Sequence, residues 1–215
     1  MFAARTLTLV VALVSLAAGV AGCGAVGSQT FRSEPASPLP AGVDAMTGLQ
    51  QRPMRPPALP PGETCSASST ADLGAVSPNY GAGAGPAYMS GQDSWYSAGQ
   101  VAFIMVDSRY SGPLLVRPFQ LGGSGKSTVT LADLPALENA NATDKEGQHG
   151  VAVVPAVHTS GGGLYLGAVA PTSRWRAWIG SLATDGPGCF GFQIDGDVFT
   201  EFIVFAVNPG TPQPG

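Results

Sequence analysis

The sequence predicts an all-β fold: a single immunoglobulin-like β-sandwich of about eight strands. Three observations lead there. Thirty Gly and nineteen Pro, with charged residues at only 11%, disfavour helices, because Gly and Pro both break helix interiors. Short runs with alternating or β-branched character recur between turn signals. Asp195-Gly196 sits between two apolar runs, and that dipeptide supplies the positive φ of a two-residue type I′ hairpin.

The runs follow in order. Residues 100–106 alternate, 107–113 supply a turn, and 114–121 make the next strand. Residues 128–131 are rich in β-branched side chains and read as a third strand. Residues 134–148 are polar and read as a loop with at most one helical turn. Further strands are expected over 151–158, over 164–170 beyond Gly161-Gly162-Gly163, over 175–182 and over 190–194. In 198–207 both alternating sets are apolar (Phe199, Ile203, Phe205 and Phe202, Val204, Ala206), as in an inner strand covered on both sides. The Gly-rich stretch 80–86 reads as a flexible loop. An immunoglobulin domain carries a Trp about a dozen residues beyond its first Cys. Trp95 lies thirty beyond Cys65, so the likeness is one of architecture.

The N-terminus carries a different signal. Arg5 is followed by an apolar run over 7–18 and then by Val20-Ala21-Gly22-Cys23. Charge, apolar stretch and small residues are the order of an export signal, and the run is shorter than the ~20 residues of a membrane-spanning helix. With cysteine directly after the small residues, the segment resembles a bacterial lipoprotein signal with its lipobox. The resemblance implies that residues 1–22 are removed, that Cys23 carries a diacylglyceryl group, and that membrane lipid on the extracytoplasmic side of the cell membrane is the first partner. Each buried methylene contributes about 0.8 kcal/mol, so two chains anchor stably where one does not. The alternative is a soluble secreted protein cut near Ala21, with Cys23 free.

If Cys23 is lipidated, Cys65 and Cys189 are the remaining thiols. In an exported protein such a pair reads as one disulfide, and closing so long a loop stabilises by about 4.7 kcal/mol on the chain-entropy model. Two separate buried thiols are the alternative. Residues 23–62 hold a dense run of prolines and read as a disordered, extended tether behind the lipidated Cys23. No PxxP ligand with a flanking basic cluster stands out there apart from Pro53-Met54-Arg55-Pro56. The sandwich is expected over 63–207 and a flexible tail over 208–215.

A second resemblance rests on 110–117 (Tyr-Ser-Gly-Pro-Leu-Leu-Val-Arg), 175–178 (Trp-Arg-Ala-Trp), 187–196 and 199–205. Together these are similar to a group of uncharacterised bacterial lipoproteins and secreted β proteins. The resemblance implies the β fold and no particular chemistry.

Without residues 1–22 the chain has nine basic and fourteen acidic residues. An acidic, charge-poor surface excludes nucleic acid as a partner. Residues 122–128 resemble the end of a phosphate-binding loop, but Gln120 stands where its first Gly belongs and a strand follows, so no nucleotide is expected. His149 and His158 are the only bases available to a Ser/His hydrolase site, Ser160 stands two residues from His158, and no G-x-S-x-G elbow occurs. The spacing of the two His matches no compact metal pattern, and Asp195-Gly196-Asp197 lacks the remaining oxygens of a calcium loop. No cofactor, no metal and no catalysis are expected. In Arg174-Trp175-Arg176-Ala177-Trp178, Trp178 is assigned to the core. Trp175 and Arg174, with Trp95 and Tyr110, are the candidate contacts to an envelope protein or glycan. The expected function is that of a membrane-anchored, non-catalytic binding module. An envelope hydrolase using a Ser/His site, or a purely structural envelope component, are the alternatives.

Overall fold

A computed structural model describes residues 32–59, 62–74, 76, 79–90, 95–96, 100–122, 129–133, 151–171 and 174–209. The strands are β1 (Glu34–Pro35), β2 (Thr70–Asp72), β3 (Tyr80–Ala82), β4 (Ala87–Ser90), β5 (Trp95–Tyr96), β6 (Gln100–Val106), β7 (Leu114–Leu121), β8 (Val129–Asp133), β9 (Val151–Val153), β10 (Val157–His158), β11 (Leu164–Leu166), β12 (Trp175–Thr184), β13 (Gly188–Gly196) and β14 (Phe199–Asn208), with one helix, α1 (Ala45–Gln50). They form two packed seven-stranded sheets. Sheet A runs β1-β14-β13-β7-β11-β10, with β5 also beside β14. Sheet B runs β2-β3-β4-β6-β12-β8, with β9 also beside β12. The all-β sandwich is thus the fold; of the immunoglobulin-like expectation, two facing sheets are what the structure shows.

Period-2 alternation builds the core. Ala102, Ile104 and Val106 of β6 and Trp178 and Leu182 of β12 face inward from sheet B. Leu114 and Val116 of β7, Phe190, Phe192 and Ile194 of β13, and Ile203 and Phe205 of β14 meet them from sheet A. Trp178 is 2% exposed, and its indole N–H donates to Asp133 Oδ1 at 2.7 Å, so burial leaves no orphaned donor. Cys65 and Cys189 are bonded to each other, with a Cα–Cα distance of 5.4 Å.

The expected strands over 100–106 and 114–121 are β6 and β7, while several other expectations need correction. The run 151–158 splits at Pro155 into β9, which pairs with β12 in sheet B, and β10, which pairs with β11 in sheet A. Proline has no N–H to give a ladder, and the chain changes sheets there. The hairpin turn falls on Asp197 and Val198 rather than on Asp195-Gly196, because Asp195 already pairs with Thr200. No residue of that turn has a positive φ. Gly196 is needed for space: a Cβ there would lie 2.1 Å from the Phe199 ring. The six short strands β1 to β5 and β10 raise the total above eight, being too brief or too glycine-rich to show a period.

The Gly-rich stretch is not a free loop. Tyr80, Gly81 and Ala82 form β3, and the N–H groups of Ala84 and Gly85 donate to Glu201 Oε1 at 2.5 and 2.9 Å. Ala87 N–H donates to Oε2 at 3.3 Å. Glu201 lies on β14 and is fully buried, so its carboxyl clasps sheet A to the β3–β4 connection of sheet B. Burial pushes its pKa up to about 7, against the opposing pull of the three amides. An acid whose folded pKa exceeds its unfolded value contributes stability that is complete below about pH 4.5 and is lost as pH rises through 7. The unfolding free energy is therefore expected to fall by about 2–3 kcal/mol between pH 5 and pH 8. Glu201→Gln should flatten that slope, and denaturant melts at the two pH values check it.

The largest correction concerns the N-terminal segment. A disordered tether was expected up to residue 62, but residues 32–59 lie against sheet A. β1 pairs with β14, Ala36 N–H donates to Val198 O at 2.8 Å, and α1 packs over β7 with Leu49 fully buried. Proline content predicts an extended backbone, whereas this segment forms the two-residue β1 and the helix α1. Proline content does not predict detachment: pairing of β1, burial of Leu49 and the side chains of Arg52, Gln193 and Arg117 hold the segment down. The described part of the domain begins at 32, and β14 runs to Asn208, one residue into the expected tail.

Candidate functional site

The outer faces of β7, β13 and β14 carry the chemistry. Alternation that sends Phe192 and Ile194 inward sends Gln193 and Asp195 outward, and the register sets Gln193 beside Arg117 and Phe202, and Asp195 beside Leu115 and Thr200. The Asp195 carboxylate is fully buried under the N-terminal segment. It accepts from Arg117 Nη2 at 2.5 Å, from Thr200 Oγ1 at 2.7 Å and from Gln193 Nε2 at 3.0 Å. Such a carboxylate is tolerated because charge and hydrogen bonds both answer it.

Residues 32–59 then cross this face as a strap. Asp44 caps α1, accepting from Thr47 N–H at 3.0 Å. After α1, Arg52 turns inward and its guanidinium donates to four backbone carbonyls: Gly196, Phe199 at 3.0 Å, Asp197 at 2.7 Å and Ser37 at 2.8 Å. One side chain thus binds the β13–β14 turn and an earlier part of the strap together, a use suited to the planar five-donor fork. Gln193 completes the fastening: its amide donates to Pro53 O at 3.0 Å and accepts from Arg55 N–H at 2.7 Å. Arg117 Nη1 donates to Arg52 O at 2.8 Å. Further along, Leu59 packs on Leu121, Val204 and the disulfide.

Between strap and sheet lies a cavity of about 240 Å³, lined by Glu34, Pro35, Ala36, Ser37, Arg52, Pro53, Arg55, Gln193, Asp195, Thr200 and Phe202. The sequence held a trace of it. Gln193 and Asp195 are polar residues two apart in an apolar run, which marks a strand face meeting something other than the core. The partner that covers them could not be read, since the strap is held by bonds to backbone carbonyls.

The residues singled out from sequence fall elsewhere. Trp175 is half-buried on the outer face of sheet B, its ring 5.8 Å from that of Tyr88. Arg174 Nη2 donates to Val151 O at 3.2 Å. β5 sets Trp95 beside Val207 on sheet A, so Trp95 and Trp175 belong to different sheets. Tyr110 is a structural residue. Its hydroxyl lies 2.7 Å from Pro113 O and 2.8 Å from Asp197 Oδ1 and accepts from Asp197 N–H, while its ring meets Phe199 edge-on. Burial pushes its pKa up, above the ordinary tyrosine range. Arg176 faces the core and holds carbonyls of Tyr110, Gly112 and Gly167. These four candidates do not converge on one surface.

His158 Nε2 lies 2.8 Å from Asp133 Oδ2, with both side chains exposed, and no serine bonds the ring among the described residues. Among those residues no group of three His, Cys, Asp or Glu could hold a metal ion. Cys23, His149 and the stretch 123–128 lie outside the described residues. No family model, no curated protein and no solved structure matches the chain.

Proposed function

We propose that the protein is an extracytoplasmic binding module, anchored to the cell membrane by lipid on Cys23, that takes a small ligand between its N-terminal strap and sheet A. The observation that carries the binding reading is the cavity of about 240 Å³ whose walls are fixed by Arg52 and Gln193. A concave site shaped before its ligand arrives saves the cost of ordering it on binding. The lipobox-like order of residues 5–23 supports the anchor.

Two measurements test this reading. Intact mass of the membrane-extracted protein is expected to show a diacylglyceryl adduct on Cys23; an unmodified mature chain removes the anchor. For the site, a low-molecular-weight filtrate of envelope extract is expected to shift the amide resonances of Arg55, Gln193 and Phe202. Ala36→Trp, which fills the cavity, should abolish those shifts while leaving the thermal midpoint in place. Shifts that are absent, or that survive Ala36→Trp, overturn the binding reading.

A further inference from the structure

Four charged side chains line the strap cavity: Glu34, Arg52, Arg55 and Asp195. Two are already committed. The Arg52 guanidinium is divided among four carbonyls, and the Asp195 carboxylate among Arg117, Thr200 and Gln193. The other two are of opposite sign and have no side-chain partner among the described residues. Arg55 is held in place only through its backbone N–H, by Gln193. Glu34 is held through its backbone in β1, opposite Thr200. The wall thus offers one free carboxylate and one free guanidinium, both on backbone that the sheet fixes. Pro35, Pro53 and Phe202 supply apolar surface beside them.

We infer that the strap cavity binds a small zwitterion of amino-acid size, with Arg55 meeting its carboxylate and Glu34 its ammonium. Size limits the choice. At about 240 Å³ the cavity falls below the ~300–1,000 Å³ that drug-sized ligands occupy. Charge limits it further. A simple anion would meet Glu34 and a simple cation Arg55, each unfavourable at close range, whereas a ligand carrying both signs answers both. The inference rests on the binding reading above and adds the ligand's chemistry to it.

Calorimetry on the full mature protein in detergent micelles, titrated with L-leucine, N-acetyl-L-leucine and L-leucinamide at millimolar concentrations, tests it. Leucine is expected to bind, and loss of either of its charges to weaken binding by about tenfold or more. The variants separate the two ends. Glu34→Gln should lose the discrimination against N-acetyl-leucine and keep that against leucinamide, and Arg55→Gln should do the reverse. Equal binding of all three compounds, or no heat with leucine, overturns the inference. If leucine is silent while the envelope filtrate still shifts the cavity amides, the zwitterion falls and the binding reading stands.

Discussion

Replacing Cys65 and Cys189 together by alanine is expected to lower the unfolding free energy by about 4–5 kcal/mol. The bond joins residues separated by 124 positions. Its loss returns loop-closure freedom to residues 65–189, the larger part of the domain, in the unfolded state. In the folded state little else changes, since Cys189 is 6% exposed and packed against Leu121 and Val204, with Leu59 and Phe119 beside them. Denaturant melts of the oxidised protein, the reduced protein and the double variant check this. The last two should agree with each other and fall well below the first. A loss under about 1 kcal/mol would mean that the unfolded chain is already restrained there.

The second large effect is at Arg176. The residue is 2% exposed, and its guanidinium donates to the carbonyls of Gly167 at 3.0 Å, Tyr110 at 2.9 Å and Gly112 at 3.0 Å and sits 5.9 Å from the Tyr110 ring centre. Burial pushes its pKa down. No carboxylate forms an ion pair with it among the described residues, so the positive charge is answered by carbonyl dipoles and a ring face. Arg176→Ala leaves three carbonyls without their donor and opens a cavity at the end of the core. The expected cost is about 3–5 kcal/mol. Arg176→Lys should recover only part of it, because an ammonium cannot span the three acceptors as the fork does. Arg174→Ala, two residues earlier and just ahead of β12, where the side chain is only part-buried, should cost under about 1 kcal/mol. Equal losses at 174 and 176 would contradict the inward placement of Arg176.

How far each feature was legible follows from what holds it. The strands 100–106 and 114–121 were readable to the residue because each is a full-length strand whose two faces differ in environment. The break at Pro155 was not, because the run 151–158 keeps its apolar character while the chain passes from one sheet to the other. Trp178 lies in the core as its sequence suggests, yet no pattern in the sequence shows that Tyr110 spends its hydroxyl on Pro113 and Asp197. The strap was the hardest. Its attachment depends on Arg52 reaching carbonyls roughly 145 residues away, at Gly196, Asp197 and Phe199. Backbone acceptors leave no residue-type signature, and a run of prolines reads alike whether free or pinned. The candidate site inherits that blindness: Gln193, Thr200 and Phe202 were visible only as residues of two strands, Asp195 was read as part of the turn between them, and their cover was invisible.

The account turns on residues 32–59 being part of the folded domain, since the cavity has no outer wall without them. Amide hydrogen exchange on the full mature protein measures this directly. The amides of Ala36, Gly48, Gln51 and Arg55, which donate to Val198 O, Asp44 O, Thr47 O and Gln193 Oε1, are predicted to exchange at least about 100-fold more slowly than a free chain. Arg52→Ala should release that protection while the amides of β13 keep theirs. Free-chain exchange at those four positions in the unmodified protein, with β13 still protected, would contradict the account.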